Sequence, residues 1–256
     1  MNPVVVSPGE DTALFVKNIL LFEDLHAASI TVLPFFADGY PGLLYHRTRG
    51  GLWVQPQNKQ MPSAFLHGQT LHPIELHLNG PYQFIVFQLY PFVLNSFFNV
   101  DAAELNDSCY DLSQMVSWNE CEAHLAVTSD MHEQVAYISC FLLQVFEAQK
   151  EKLDLKIREG IQLILDRKAR ITVKELCAEL HLTVRTFERR FLKEVGIPAK
   201  DFIRITRFQQ SLEQLYSGDF QKLTDIVYAN GFADQSHFIK VFKAFTGKTP
   251  SLFLKR

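Results

Sequence analysis

The sequence contains no long apolar run. No stretch approaches the roughly 18 consecutive apolar residues that a membrane-spanning helix needs, so no membrane partner is expected. Cysteine is scarce. Cys109, Cys121, Cys140 and Cys177 are spaced by 12, 19 and 37 positions, which fits neither a zinc nor a redox motif. Reduced thiols in a cytoplasmic protein are the simplest reading. GxSxG, P-loop and GxGxxG patterns are missing, which removes the usual nucleophile elbow and phosphate cradles. His132-Glu133 opens like a zinc-protease HExxH motif, but Ala136 stands where the second histidine must be. The opening MNPVVVSPGEDTALFVKN lacks a basic start followed by an apolar stretch and is not expected to be a signal peptide. There is no low-complexity segment. Basic residues are also sparse over most of the chain: residues 1–151 hold 5 Lys+Arg against 16 Asp+Glu, net −11.

The remainder reverses that balance. Residues 152–256 hold 20 Lys+Arg against 12 Asp+Glu, net +8. Charge segregated in this way suggests a basic domain that meets a polyanion, joined to an acidic one that does not. With 256 residues, 47% of them hydrophobic, the chain can fold as one large domain or two ordinary ones.

Residues 27–90 read as β-rich. Short apolar runs at Ser29–Pro34, Leu43–His46, Leu52–Val54, Ala64–Leu66, Ile74–Leu78 and Phe84–Tyr90 are separated by Asp38-Gly39, Pro41-Gly42, Gly50-Gly51 and Asn79-Gly80-Pro81. Regular short strands with turns between them predict a barrel or sandwich. After Pro91, FVLNSFF and DAAEL read as short helical pieces. Residues 130–149 predict a strong helix that is apolar on most sides. Two readings of it stay open: burial within its own chain, or a dimer seam. The charged run Gln149-Lys150-Glu151-Lys152, where the charge changes sign, places a domain boundary. The fold class is therefore α+β. A β-rich, barrel- or sandwich-like N-terminal domain over 1–150 (helical over 92–150) precedes an all-α domain over 153–256.

Two helix–break–helix units stand in that second domain. In the first, residues 172–196, Thr172 and Glu175 form a capping box. Val173, Leu176, Cys177 and Leu180 make one apolar stripe, and Thr183 caps the next helix after a break at His181-Leu182. There Val184, Phe187, Phe191 and Val195 are expected to face inward, with Arg185, Glu188 and Arg189 outward and Gly196 as the stop. In the second unit, residues 223–247, Gly231 ends one helix and Asp234 caps another. Phe238, Val241, Phe242 and Phe245 face in, while Gln235, Ser236, His237, Lys240 and Lys243 face out. A helix from Pro198 to Tyr216 joins the units, with proline at its first position. A short helix, a tight turn and a second helix with a basic outer face describe a helix-turn-helix. Its second helix enters the major groove, where Arg pairs with guanine and Gln with adenine.

The segments LCAELHLTVRTFERRFLKEVGIPAKDFI and IVYANGFADQSHFIKVFKAFTGKTPSLFL resemble the DNA-binding domain of AraC/XylS-type bacterial transcription regulators over about 100 residues. The resemblance implies two units that read successive major grooves of double-stranded DNA about one turn apart. Carried over by position, base reading falls on Arg185, Glu188 and Arg189, and on Gln235, Ser236, His237 and Lys240. Glu188 has two readings, an acceptor for cytosine or an ion-pair partner that orients Arg185 or Arg189. Lys200, Arg204, Arg207 and Lys243 are phosphate-contact candidates. The resemblance further implies an activator with RNA polymerase as partner, homodimerisation, and a small-molecule effector in the first domain. That domain, through FLHGQTLHPIELHLNGPYQFIVFQLYPFVLNSFFNVDAAELND, resembles an uncharacterised sensor-like type.

The rival is a small-molecule- or metal-binding cupin-like protein, enzymatic or not, with an accessory DNA-binding domain, in which His67, His72, Glu75 and His77 would ligate the metal. Alternation over Pro73–Asn79 puts Glu75 and His77 on one face, as a plain solvated pair would also be. The expectation is a DNA-binding regulator with no catalytic residue, metal or cofactor.

Overall fold

In the computed structural model, which describes residues 3–254, alternation along the strands sets the first layers. The strands are β1 (Val4–Val6), β2 (Val16–Asp24), β3 (Ile30–Phe35), β4 (Gly42–Thr48), β5 (Leu52–Gln55), β6 (Lys59–Gln60), β7 (Ala64–His67), β8 (Ile74–Asn79), β9 (Tyr82–Leu89) and β10 (Cys109–Asp111). They form one sheet in the order β1-β2-β9-β4-β7-β10 and a second in the order β3-β8-β5-β6. Every strand pairing among the described residues is antiparallel, with Leu44 opposite Val86 and Phe65 in the middle of the larger sheet. On β9, Phe84 and Val86 point to the smaller sheet, and with Phe22, Leu44 and Phe65 they meet Leu33, Leu52, Leu76 and Leu78. Ile85, Phe87 and Leu89 point the other way, into a helical layer. A strand buried on both faces reads as a nearly unbroken apolar run, which is what Phe84–Phe87 is. The two sheets make a sandwich.

The helices are α1 (Val93–Phe98), α2 (Asn119–Val127), α3 (Met131–Gln149), α4 (Leu155–Asp166), α5 (Val173–Glu179), α6 (Val184–Val195), α7 (Ala199–Ser217), α8 (Leu223–Ala229), α9 (Gln235–Thr246) and α10 (Pro250–Phe253). None among the described residues is long and apolar enough to cross a membrane. Asp130 caps α3 by accepting from His132 N at 2.7 Å. Phe141 packs edge-on against buried Trp118, and Phe146 stacks on Phe15 at 4.8 Å.

Three expectations need correction. Helix α3 is not apolar on most sides in its packing: Ile138, Phe141 and Leu142 are buried, while Ala136, Cys140, Gln144 and Glu147 form an exposed strip. Asp101–Leu105 makes turns rather than a helical piece, and β10 interrupts the stretch expected to be helical. The β-rich region also starts well before residue 27, because β2 is a central strand of the larger sheet.

The larger core continues from the helical face of the big sheet into the carboxy-terminal helices. Polar contacts reinforce this junction. Glu194 of α6 is buried and accepts from Asn95 Nδ2 and Ser96 Oγ, both at 2.9 Å. Asn106 Nδ2 donates to Gly196 O at 2.8 Å, and Gln209 Nε2 donates to Ala37 O.

Candidate nucleic-acid interface

Local chemistry fixes both helical corners. Thr172 Oγ1 accepts from Glu175 N at 3.2 Å, and Glu175 accepts from Thr172 N at 2.8 Å, closing the capping box on α5. The bonds from Thr172, backbone first and hydroxyl second, hold the Glu175 carboxyl below its usual range. His181 turns the chain with φ of +54°, and Thr183 accepts from Thr186 N to start α6. In the second unit Asp225 accepts from Lys222 N at 2.8 Å at the start of α8. Gly231 turns the chain with φ of +70°, and Asp234 caps α9 through His237 N at 2.7 Å. Gly196 and Gly247 end α6 and α9 in the left-handed conformation that glycine adopts without strain. Pro198 is the residue that precedes α7 rather than its first helical position.

Phenylalanines tie both outward helices to α7. Phe191 of α6 packs on Phe202 with centroids 5.9 Å apart, and Phe242 and Phe245 of α9 flank Phe208 at 5.6 and 5.0 Å. Phe232, in the corner, meets Phe238 at 5.1 Å. The outer faces are left to polar and basic groups. Arg185 and Arg189 are exposed on α6 with Glu188 half-buried beside them, and Gln235, Ser236, His237, Lys240 and Lys243 are all exposed on α9. Each set stands together on one face of its helix. Among the described residues Glu188 makes no ion pair with Arg185 or Arg189, so the orienting pair anticipated for it is not formed.

Other placements differ from expectation. Val184 does not face inward; it is 49% exposed at the tip of α6, where the helix overhangs its support. Arg207 is half-buried, and its Nε donates to Ala169 O at 3.0 Å, which occupies it in joining α7 to the turn before α5. Burial lowers its pKa from the usual arginine value. Arg204 pairs with Asp201 at 3.1 Å and lies over the Phe245 ring at 5.4 Å, while Lys200 stays exposed.

Sequence reading passed over Arg190, which holds Asp154 through Nε at 2.7 Å and Nη2 at 2.5 Å and so bolts α6 to the start of α4. Burial works to raise the Asp154 carboxyl, but the bonds from Arg190, Ile157 N and Lys156 N prevail and hold it below the usual range. No periodicity signals this pair, because its partners lie 36 positions apart.

The four residues of the rival metal reading are divided among separate partners. His72 Nδ1 pairs with Asp107 at 2.7 Å, His77 with Glu75 at 3.1 Å, and His67 lies against Gly68 O in the sandwich. Among the described residues no group of three such side chains is placed to hold a metal ion.

Comparison with known proteins matches these two parts of the chain separately. Residues 176–256 match the family model described as a helix-turn-helix domain. The carboxy-terminal third is an AraC-type helix-turn-helix domain. Residues 5–111, ahead of it, match a domain of unknown function (DUF6597). The AraC-type domain carries the likeness to curated relatives. The chain is 30% identical over 80 residues to the HTH-type transcriptional activator RhaR of Pectobacterium carotovorum subsp. carotovorum (strain PC1), which covers 31% of this chain and 28% of that protein. It is 31% identical over 84 residues to the HTH-type transcriptional activator AarP of Providencia stuartii, covering 33% of this chain and 62% of that one. The chain thus spans under a third of RhaR and under two thirds of AarP. A solved structure of ToxT from Vibrio cholerae aligns over 93% of this chain and 97% of its own, at 16% identity and a TM-score of 0.48.

Proposed function

We propose that the protein is a cytoplasmic, sequence-specific regulator of transcription, an activator, that binds double-stranded DNA through both helix-turn-helix units. The observation that carries this reading is the pair of capped helices, α6 and α9, with exposed basic and amide side chains opposite phenylalanines that anchor both to α7. Arg185, Glu188 and Arg189 read one major groove; Gln235, Ser236, His237 and Lys240 read the next. With no arginine paired to it, Glu188 is free to accept from a cytosine amino group. Lys200 and Lys243, with Arg204 beside them, contact phosphate. Arg207 is left out because a backbone carbonyl already occupies it. The names of the relatives, both activators, support the direction of regulation. RNA polymerase is the partner that an activator would recruit. Residues 1–150 serve as the sensing and dimerisation domain, with a small molecule as effector.

Selection of bound fragments from random double-stranded DNA tests the reading. Two half-motifs about 10 base pairs apart are expected, with affinity that falls steeply as salt rises. No enrichment at low salt would overturn it.

A further inference from the structure

The two helix-turn-helix units repeat one another at a fixed spacing. Thr183 and Asp234 cap α6 and α9, and each accepts from the backbone N–H three positions on, Thr186 N and His237 N. Phe187 and Phe238, then Phe191 and Phe242, are the buried rings, and Gly196 and Gly247 end the helices in the left-handed conformation. The members of every one of these pairs lie 51 positions apart, so the register between the two helices runs without a gap. In that register Arg185 matches Ser236, and Arg189 matches Lys240. Gln235, the first residue of α9, matches Val184, the first residue of α6.

Val184 is exposed, although Phe187 and Phe191 on the same helix are fully buried. A valine left exposed at a helix start contributes little burial and little helix propensity. Charge also sets these two helix ends apart. Glu175, Asp201 and Asp225 stand in the first turns of α5, α7 and α8, where a carboxylate favours the helix dipole, whereas α6 and α9 have no acid there. That choice suits ends that approach phosphates and base edges. The N-terminal residues of a recognition helix are the ones that reach the bases. Valine forms no hydrogen bond there, and pressing it on a base donor or acceptor would strip water without replacement. The apolar group that the major groove displays is the thymine C5 methyl. We propose that Val184 is a specificity-determining residue that packs on a thymine methyl in the half-site read by α6. The assignment rests on the DNA-binding reading above. It extends base reading in the first unit to the helix start, the place that Gln235 holds in the second.

Deoxyuridine tests the contact, because its base differs from thymine only in lacking that methyl. Each thymine of the operator selected from random DNA is replaced in turn by deoxyuridine. Affinity for the full chain is read by fluorescence anisotropy, for the parent and for Val184→Ala. In the parent, the replacement at one thymine should weaken binding about fourfold, the worth of one buried methyl. Val184→Ala should lose most of that sensitivity at that thymine and at no other, with its thermal midpoint unchanged. If no replacement weakens binding by the parent, or if every loss is as large in Val184→Ala, the proposal fails while the DNA-binding reading stands. A selection that yields no operator would end both.

Discussion

Arg189 and Asp38 are charged side chains in opposite situations, and each can be tested alone. Arg189 is exposed and has no protein partner among the described residues, so its removal leaves the packing of α6 intact. Arg189→Ala should weaken binding to a selected operator by about 1–3 kcal/mol while the thermal midpoint stays put. Unchanged affinity, read by fluorescence anisotropy, would end its assignment as a base reader. Asp38 lies in the turn before β4. Burial pushes its carboxyl up to about 6, against bonds from Tyr40 N and Gln88 Nε2 that pull it down. The folded chain thus holds this proton more tightly than the unfolded chain, whose value is near 3.8. Its contribution to stability is full below pH ~4 and is lost as pH rises through ~6, about 2–3 kcal/mol in all. Asp38→Asn cannot titrate. Measured by urea unfolding, the stability of the variant relative to the parent should rise across that window, and parallel pH profiles would contradict the assignment. Legibility at this scale follows sequence distance. The caps by Thr172, Thr183 and Asp234 were readable because each meets a backbone N–H three positions on. The commitments of Arg207 to Ala169 and Arg190 to Asp154 were not, because their partners are far along the chain.

Helices α6 and α9 owe their placement to α7, and the burden falls on a few rings. Phe242 is fully buried and touches Phe208, Phe238 and Phe253 at centroid distances of 5.6, 5.6 and 5.3 Å. Truncation would open a cavity between α7, α9 and α10. Phe242→Ala should cost about 3–5 kcal/mol by chemical denaturation, and a variant as stable as the parent would show that α9 is held by something else. The ring spacing made this helix readable, since phenylalanines at i, i+4 and i+7 allow only one inward face. The same rule overreached at Val184, which continues the inward stripe of α6 by angle but lies beyond the core that would cover it. Strand β2 was missed for the opposite reason. Val16–Asp24 mixes Lys17 and Asn18 with a run from Ile19 to Phe22, and its flanks carry no turn dipeptide to delimit it. Its pairing with β9, eight residues deep, comes from tertiary contact rather than from local pattern.

Over the whole molecule, the two parts that the sequence separates by charge are joined more tightly than a linker would join them. The seam centres on the end of α6. Glu194 is held by Asn95 and Ser96, and the next turn is pressed against the chain at Ala102. Gly196 is required there twice over: its φ is +81°, and a Cβ on it would come within 2.5 Å of the Ala102 carbonyl and 2.8 Å of Ala103 N. Backbone cannot yield as a flexible side chain can, so Gly196→Ala must push the two parts away from each other. Gly218 separates that effect from simple conformational strain. It ends α7 with φ of +72°, and a Cβ on it meets nothing within 4 Å. Gly218→Ala should therefore lose only the roughly 1–2 kcal/mol of a left-handed alanine. Gly196→Ala should lose that and the seam as well. In calorimetry the parent should unfold in one transition, Gly218→Ala in one slightly earlier transition, and Gly196→Ala in two, as sandwich and helix-turn-helix domain melt independently. If the two variants unfold alike, the seam contributes nothing to cooperativity, and the closeness of α6 to Ala102 is contact without coupling.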